Sequence, residues 1–272
     1  MAQPPRFDEK AARRVEAVYT TPDVAGQRAL VLEALGLRPG ERVLDVGVGP
    51  GFLAREMAGA VGPGGSVEGV DVSPAMLELA RARLEGLPCA SLREGDALHL
   101  PFGDEEFDAA AAIQVYEYVK EIDRALAELF RVLGPGGRAA ILDTDWGSLV
   151  WRARDGERAR RVMEAWDEHL ADPHLPRTLS GRLRRAGFDI LRREAVPILN
   201  PEYNPGTYSA GMIGLIVPFV IGRRGVTKEE AKAWAEDLKA LGERGGYFFS
   251  LNRYLFLVRK PGGAQRAQAE SS

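Results

Sequence analysis

The chain has 272 residues, room for one α/β domain with an insertion. Hydrophobic residues make up 45% and charged residues 28%, an ordinary globular composition, and the formal net charge of −3 gives no basic footprint for nucleic acid. A single cysteine, Cys89, excludes an intramolecular disulfide framework and fits a reducing cytosol. The N-terminus carries no apolar run of the signal-peptide kind. The longest apolar stretch, GMIGLIVPFVIG at 211–222, is too short to span a bilayer and is expected to be a buried or lid-forming segment. The expected location is cytoplasmic.

In chain order, the spacing of apolar residues predicts helices over 8–20 and 24–37, an N-terminal helical cap occupying 1–38. A turn, a buried strand and a glycine loop follow in RPGERVLDVGVG, then a helix in FLAREMAGAV. A second strand ends at Asp71. The helix after it has Ser73 at its N-cap and Pro74 in its first turn. Strands three, four and five are read in CASLREGDA, FDAAAAIQV and GPGGRAAILDTDW, with a helix in EIDRALAELFRVL between the last two. Strand–helix alternation with nearly continuous apolar strands means a parallel sheet covered on both faces.

Beyond residue 150 the rhythm changes. Helices are expected in RARRVMEAWDEHLA and LSGRLRRAG, a strand in FDILRREAVPIL, and an irregular segment over 200–226. A helix opened by Thr227 and a long strand in YFFSLNRYLFLVRK close the domain. The expected fold is a Rossmann-like three-layer α/β sandwich. Its seven-stranded, mostly parallel sheet ends in an antiparallel strand, with the N-terminal cap and a C-terminal inserted lid added. Residues 39–150 form the nucleotide-binding core, 151–260 complete the sheet around a substrate lid at about 200–246, and 261–272 form a polar, disordered tail.

Ligands of open α/β sheets sit beyond the carboxyl ends of the strands, where Gly47, Gly49 and Gly51 fall. A dinucleotide fingerprint needs a glycine at position 52, which is Phe52, and a phosphate-binding P-loop needs a Gly-Lys-Ser/Thr that is absent. The sequence has D-x-G-x-G-x-G, starting at Asp45.

LDVGVGPG, the acid closing VEGVD, GDALHLPF at 95–102 and RVLGPGGR at 131–138 stand in order over roughly residues 40–145. Together they resemble the class I S-adenosylmethionine-dependent methyltransferases, and within them the ubiquinone/menaquinone C-methyltransferase-like, type 11 group. The resemblance implies S-adenosylmethionine as cofactor and S-adenosylhomocysteine as product. It places Gly47, Gly49, Gly51 and Asp45 at the methionine moiety, and Asp71 on the ribose hydroxyls beside Val72. Asp96 and Ala97 fall at the adenine, packed by Met76 or Leu98, and Gln114 near the methionine. Tyr19 resembles a residue that closes over the cofactor. A ribose acid also serves a nicotinamide cofactor, Asp96 also suits a plain turn, and Tyr19 also suits simple packing.

Relatives often carry Glu-His after strand four; here the pair is Glu117-Tyr118. Candidate catalytic residues are Tyr19, Tyr116, Glu117 and Asp145, with Tyr118 and Asp143 also polar near the transfer point. His169 and His174 suit either the site or the surface. Trp146, Trp151, Tyr203, Tyr208, Phe219 and Tyr247 suit either a pocket wall or the core. Eleven arginines and seven acids between 152 and 193 suit either an anionic surface or solvated helix faces laced with ion pairs. No metal is expected. The implied activity is methyl transfer to oxygen, carbon or nitrogen of a small, partly apolar metabolite. The alternatives are a cofactor-binding fold doing other chemistry such as cyclisation, or an RNA-modifying methyltransferase. The acceptor and the oligomeric state are not readable.

Overall fold

The computed structural model describes residues 9–262. The tail from 263 onward and the start of the N-terminal cap lie outside the described residues. Two helices open the chain, α1 (Glu9–Tyr19) and α2 (Pro22–Leu35). There follow β1 (Arg42–Val46), α3 (Phe52–Val61), β2 (Ser66–Asp71), α4 (Pro74–Leu84) and β3 (Ala90–Glu94). Then come β4 (Phe107–Ile113), α5 (Ile122–Val132) and β5 (Leu133–Trp151), then α6 (Gly156–Trp166) and α7 (Pro176–Arg185). The chain continues through β6 (Asp189–Asn200), α8 (Tyr208–Val220), α9 (Lys228–Glu243) and β7 (Phe249–Arg259).

The seven strands form one sheet in the order β3-β2-β1-β4-β5-β7-β6. β1 to β5 run parallel, and β7 lies antiparallel between β5 and β6. This is the Rossmann-like three-layer arrangement read from the sequence. Its parallel strands are buried on both faces: Ala109 to Ala112 on β4 and Ala139 to Leu142 on β5 are essentially inaccessible. One face packs on α5 and α7 and the other on α2, α3 and α4. Local chemistry sets the helix ends. Ser73 caps α4 by accepting from the Met76 amide, and Thr227 and Glu230 close a reciprocal capping box at α9.

The stretch read as irregular, 200–226, contains a 13-residue helix, α8, with Pro218 inside it. Its sequence is apolar on all sides, so it carries no amphipathic stripe, and its glycines and proline mimic a loop. Burial stabilises it instead: Met212, Ile213, Ile216 and Val220 pack with Val18, Val162 and Trp234 in a second core beyond the sheet edge. β5 also runs longer than expected, past a register shift between Asp145 and Val150. No described helix is long and apolar enough to cross a membrane.

Candidate active site

The strand order reverses between β1 and β4, and a cavity of about 390 Å³ opens beyond the carboxyl ends of the strands there. The β1–α3 glycine loop forms its floor. Gly47, Gly49 and Gly51 all adopt left-handed backbone, the conformation glycine reaches without steric cost. Gly47 and Gly49 line the cavity, whereas Gly51 does not. A Cβ on Gly51 would stand 3.0 Å from the Cα and Cβ of Ala80, so this glycine lets α3 begin close against α4. Gly51 thus packs α3 against α4, just outside the lining of the cavity.

Four carboxylates line the cavity, Asp45, Asp71, Asp96 and Glu121, and the three aspartates fall where the sequence placed the cofactor. Asp45, 2% exposed, has an Oδ2 without a partner, and burial with the nearby Asp71 charge pushes its pKa up to about 8. Asp71 accepts the Gly49 amide on Oδ2 and the Ser73 amide on Oδ1, each at 2.9 Å. It therefore holds the glycine loop to the start of α4 while each oxygen keeps a lone pair for a ligand. Burial still raises its pKa, against those amide bonds. Asp96 lines the cavity, and its Oδ1 accepts the Leu98 amide at 2.9 Å, shaping its own turn.

Val72, Met76, Ala97 and Gln114 line the same cavity. Gln114 is one of three described non-glycine residues in left-handed backbone (φ 53°), and its amide donates to Thr144 Oγ1 at 3.2 Å. Such strain concentrates at functional sites. Tyr19, the last residue of α1, and Tyr118 lie along the cavity wall. Burial pushes the Tyr19 phenol up to about 12 and Tyr118 higher than its ordinary value, so both stay protonated near neutrality.

Three other candidates lie elsewhere. Tyr116 is buried in the main core with Leu126 and Leu175, because the short 3₁₀ turn at Tyr116–Tyr118 directs the two tyrosines differently. Asp145 accepts His174 Nδ1 at 3.0 Å and Arg177 Nε at 2.9 Å, anchoring the loop before α7 away from the cavity. Glu117 is fully buried and does not line the cavity. Burial pushes its pKa up to about 7 despite the opposing charge of Arg253. None of the six aromatics offered as a pocket wall lines the cavity; all belong to the second core. His169 stacks on Trp166 with centroids 3.9 Å apart, and burial lowers its pKa to about 4. Most arginines of 152–193 pair with acids, as Arg154 does with Asp237 and Arg182 with Asp123.

Sequence reading missed Phe52, whose ring lies in the cavity wall under Arg83, and Arg253 on β7. Alternation offered a signal for the second: Phe249, Leu251 and Leu255 are inward-facing, and Arg253 falls on the same face.

Residues 44–141 match the family described as a methyltransferase domain. The chain is 33% identical over 226 residues to methyltransferase GfsG of Streptomyces halstedii, covering 78% of this chain and 75% of that protein. It is 34% identical over 177 residues to a 2-phytyl-1,4-naphtoquinone methyltransferase of Thermosynechococcus vestitus, covering 60% and 78%. Among solved structures it resembles the [4+2]-cyclase SpnF, with a TM-score of 0.56 and 27% identity over 88% of this chain and 82% of that one. The chain spans about half the length of other curated relatives it matches. Fold, cavity and these relatives together define a class I S-adenosylmethionine-dependent methyltransferase, and the chain belongs to that family.

The residues present fit that cofactor. An orphaned buried carboxylate oxygen on Asp45 suits an ammonium, Gly47 and Gly49 in the cavity lining suit close backbone approach, and Asp71 retains acceptors for a diol. Val72, Met76 and Leu98 offer apolar faces to a flat ring.

Proposed function

We propose that the protein methylates a small, partly apolar molecule, using S-adenosylmethionine held along the β1–β4 crevice. The observation that carries this reading is the run of polar groups through one cavity, from Asp96 past Asp71 and Asp45 to Gln114, Tyr19 and Tyr118. When bound, S-adenosylmethionine supplies a methyl group on a positively charged sulfonium. Asp45 takes the amino group, Asp71 both ribose hydroxyls, Asp96 the adenine amino group and the Ala97 amide the ring, with Val72 and Met76 packing around it. Gln114 fixes the methionine end, and Tyr19 closes over it. Methyl transfer is an in-line displacement, so the protein's main work is to align the acceptor and exclude water. The inserted segment 200–246 acts as the substrate lid, and the protein works in the cytoplasm.

Likeness to SpnF supports a second reading, in which the cofactor is retained while the pocket performs a cyclisation. One experiment separates them. Purified protein is incubated with methyl-labelled S-adenosylmethionine and a cell extract, and the label is partitioned into organic, RNA and protein fractions. Label in the organic fraction supports small-molecule methylation. Label in RNA overturns the substrate class, and binding without transfer favours the second reading.

A further inference from the structure

No described residue of the inserted segment 200–246 lines the cavity, whereas Val15 and Tyr19 of α1 and Val24 and Arg28 of α2 do. α8 lies behind that wall. A Cβ on Gly211 would stand 2.8 Å from Val18 Cγ2, so this glycine lets α8 approach α1 closely. Leu215, one turn further along α8, packs with Ala12 and Val15 of α1. Val18 and Val24 share a core with Met212 and Ile213.

One carboxylate joins the starts of α2 and α8. Asp23, in the first turn of α2, accepts the Tyr208 amide on Oδ2 at 2.7 Å and the Asn200 side-chain amide on Oδ1 at 3.1 Å. Asn200 in turn accepts the Ser209 amide at 3.1 Å. The Thr207 side chain makes no cap on α8, so the first two amides of that helix are satisfied through Asp23. A carboxylate beside two helix N-termini is favoured by both dipoles. The start of α8 is also tied to the chain beyond it: Tyr247 donates to Ser209 Oγ at 2.8 Å and accepts Trp151 Nε1 at 3.1 Å. On the core side, Arg28 pairs with Glu56 of α3 at 3.1 Å, Glu16 of α1 pairs with Arg83 of α4, and Arg28 donates to the Tyr19 carbonyl at 2.7 Å.

We infer that Asp23 is a positioning residue: by holding α8 against α1 it sets Tyr19 over the bound cofactor. The inserted segment therefore acts on the cavity through the N-terminal cap. This rests on the methyltransferase reading and gives the lid segment its route to the site. Without the Asp23 carboxylate the first amides of α8 lose their acceptor, the helix loosens from Val18 and Val15, and the wall that ends in Tyr19 yields. Bound cofactor then leaves faster, while its entry is unaffected.

The test measures association and dissociation rates of S-adenosylhomocysteine on the immobilised full chain by surface plasmon resonance. Asp23→Ala is expected to raise the dissociation rate about fivefold and leave association unchanged. In a Tyr19→Ala background the same substitution adds nothing, because the side chain it positions is already gone. Thr227→Ala is the control: it removes the capping box of α9 and lowers the urea midpoint as Asp23→Ala does, but leaves both rates unchanged. Hydrogen exchange without ligand reports the coupling directly, with the amides of α1 exchanging faster in Asp23→Ala and not in Thr227→Ala. An unchanged dissociation rate, an equal rise in the Tyr19→Ala background, or α1 exchange that does not respond to Asp23→Ala overturns the inference. If wild type does not bind S-adenosylhomocysteine, the methyltransferase reading falls, and the exchange comparison decides the coupling of α8 to α1 by itself.

Discussion

Arg83 on α4 lays its guanidinium 3.5 Å from the ring centroid of Phe52, the residue standing where a dinucleotide loop needs its third glycine. The same guanidinium donates to the Pro50 carbonyl of the loop and to Glu16 of α1 at 2.5 Å. One side chain thus ties the glycine loop, the start of α3 and the N-terminal cap together. A cation over an aromatic ring at a partly buried site contributes about 1 kcal/mol. Arg83→Ala is expected to weaken S-adenosylhomocysteine binding about fivefold by calorimetry, with the melting temperature falling by only a few degrees. Unchanged affinity shows that the loop holds its shape without the clamp.

Gly51 separates packing from binding. Its left-handed backbone and the 3.0 Å approach to Ala80 make Gly51→Ala costly, about 2 kcal/mol. The expected result is a lower midpoint in urea. A variant that keeps wild-type stability and loses only cofactor affinity makes Gly51 a binding residue and not a packing one.

Asp45 sets a pH dependence with a defined sign. Its folded pKa is raised to about 8 by burial, above an unfolded value of about 4. Between those values the folded state binds the extra proton, so this group's stabilisation is complete below pH 4 and is lost as pH rises through 8. Asp45→Asn is expected to flatten the fall in melting temperature between pH 6 and 9. A ligand ammonium reverses the preference, so S-adenosylhomocysteine binding at pH 7 should release a proton from wild type and none from the variant. Calorimetry in buffers of different ionisation enthalpy reads this. Proton uptake contradicts it.

Asp145 is a structural anchor. Burial works to raise its pKa, but the bonds from Arg177 and His174 outweigh it and hold the carboxyl below its usual range. Its contribution to stability is therefore present above pH 4 and lost as pH falls through the depressed folded value. Both partners are about half exposed, so Asp145→Asn should cost only about 1 kcal/mol. S-adenosylhomocysteine affinity should be unchanged. A tenfold loss of affinity makes Asp145 part of the site.

The sheet and the residues around the strand-end cavity were legible because local chemistry writes them into the sequence. Strand ends are marked by Asp45 and Asp71, left-handed turns by glycine, and α4 by Ser73-Pro74. The packing around α8 and β7 was not legible, for three physical reasons. α8 is apolar on its exposed face as well as its buried one, with Gly214 and Pro218 toward solvent, which erases its period. Tyr116 and Tyr118 differ in direction through a 3₁₀ turn that residue spacing does not specify. Arg253 and Thr144 lie 109 positions apart, and only the antiparallel placement of β7 beside β5 sets them opposite each other.

The central claim is that the β1–β4 cavity holds S-adenosylmethionine through its carboxylates. It is tested most directly by titrating S-adenosylhomocysteine into wild type and Asp71→Ala, with NADH as competitor. The account predicts one site per chain, at least tenfold weaker binding in the variant, and no displacement by NADH. Absence of binding to wild type, or displacement of the ligand by NADH, contradicts it.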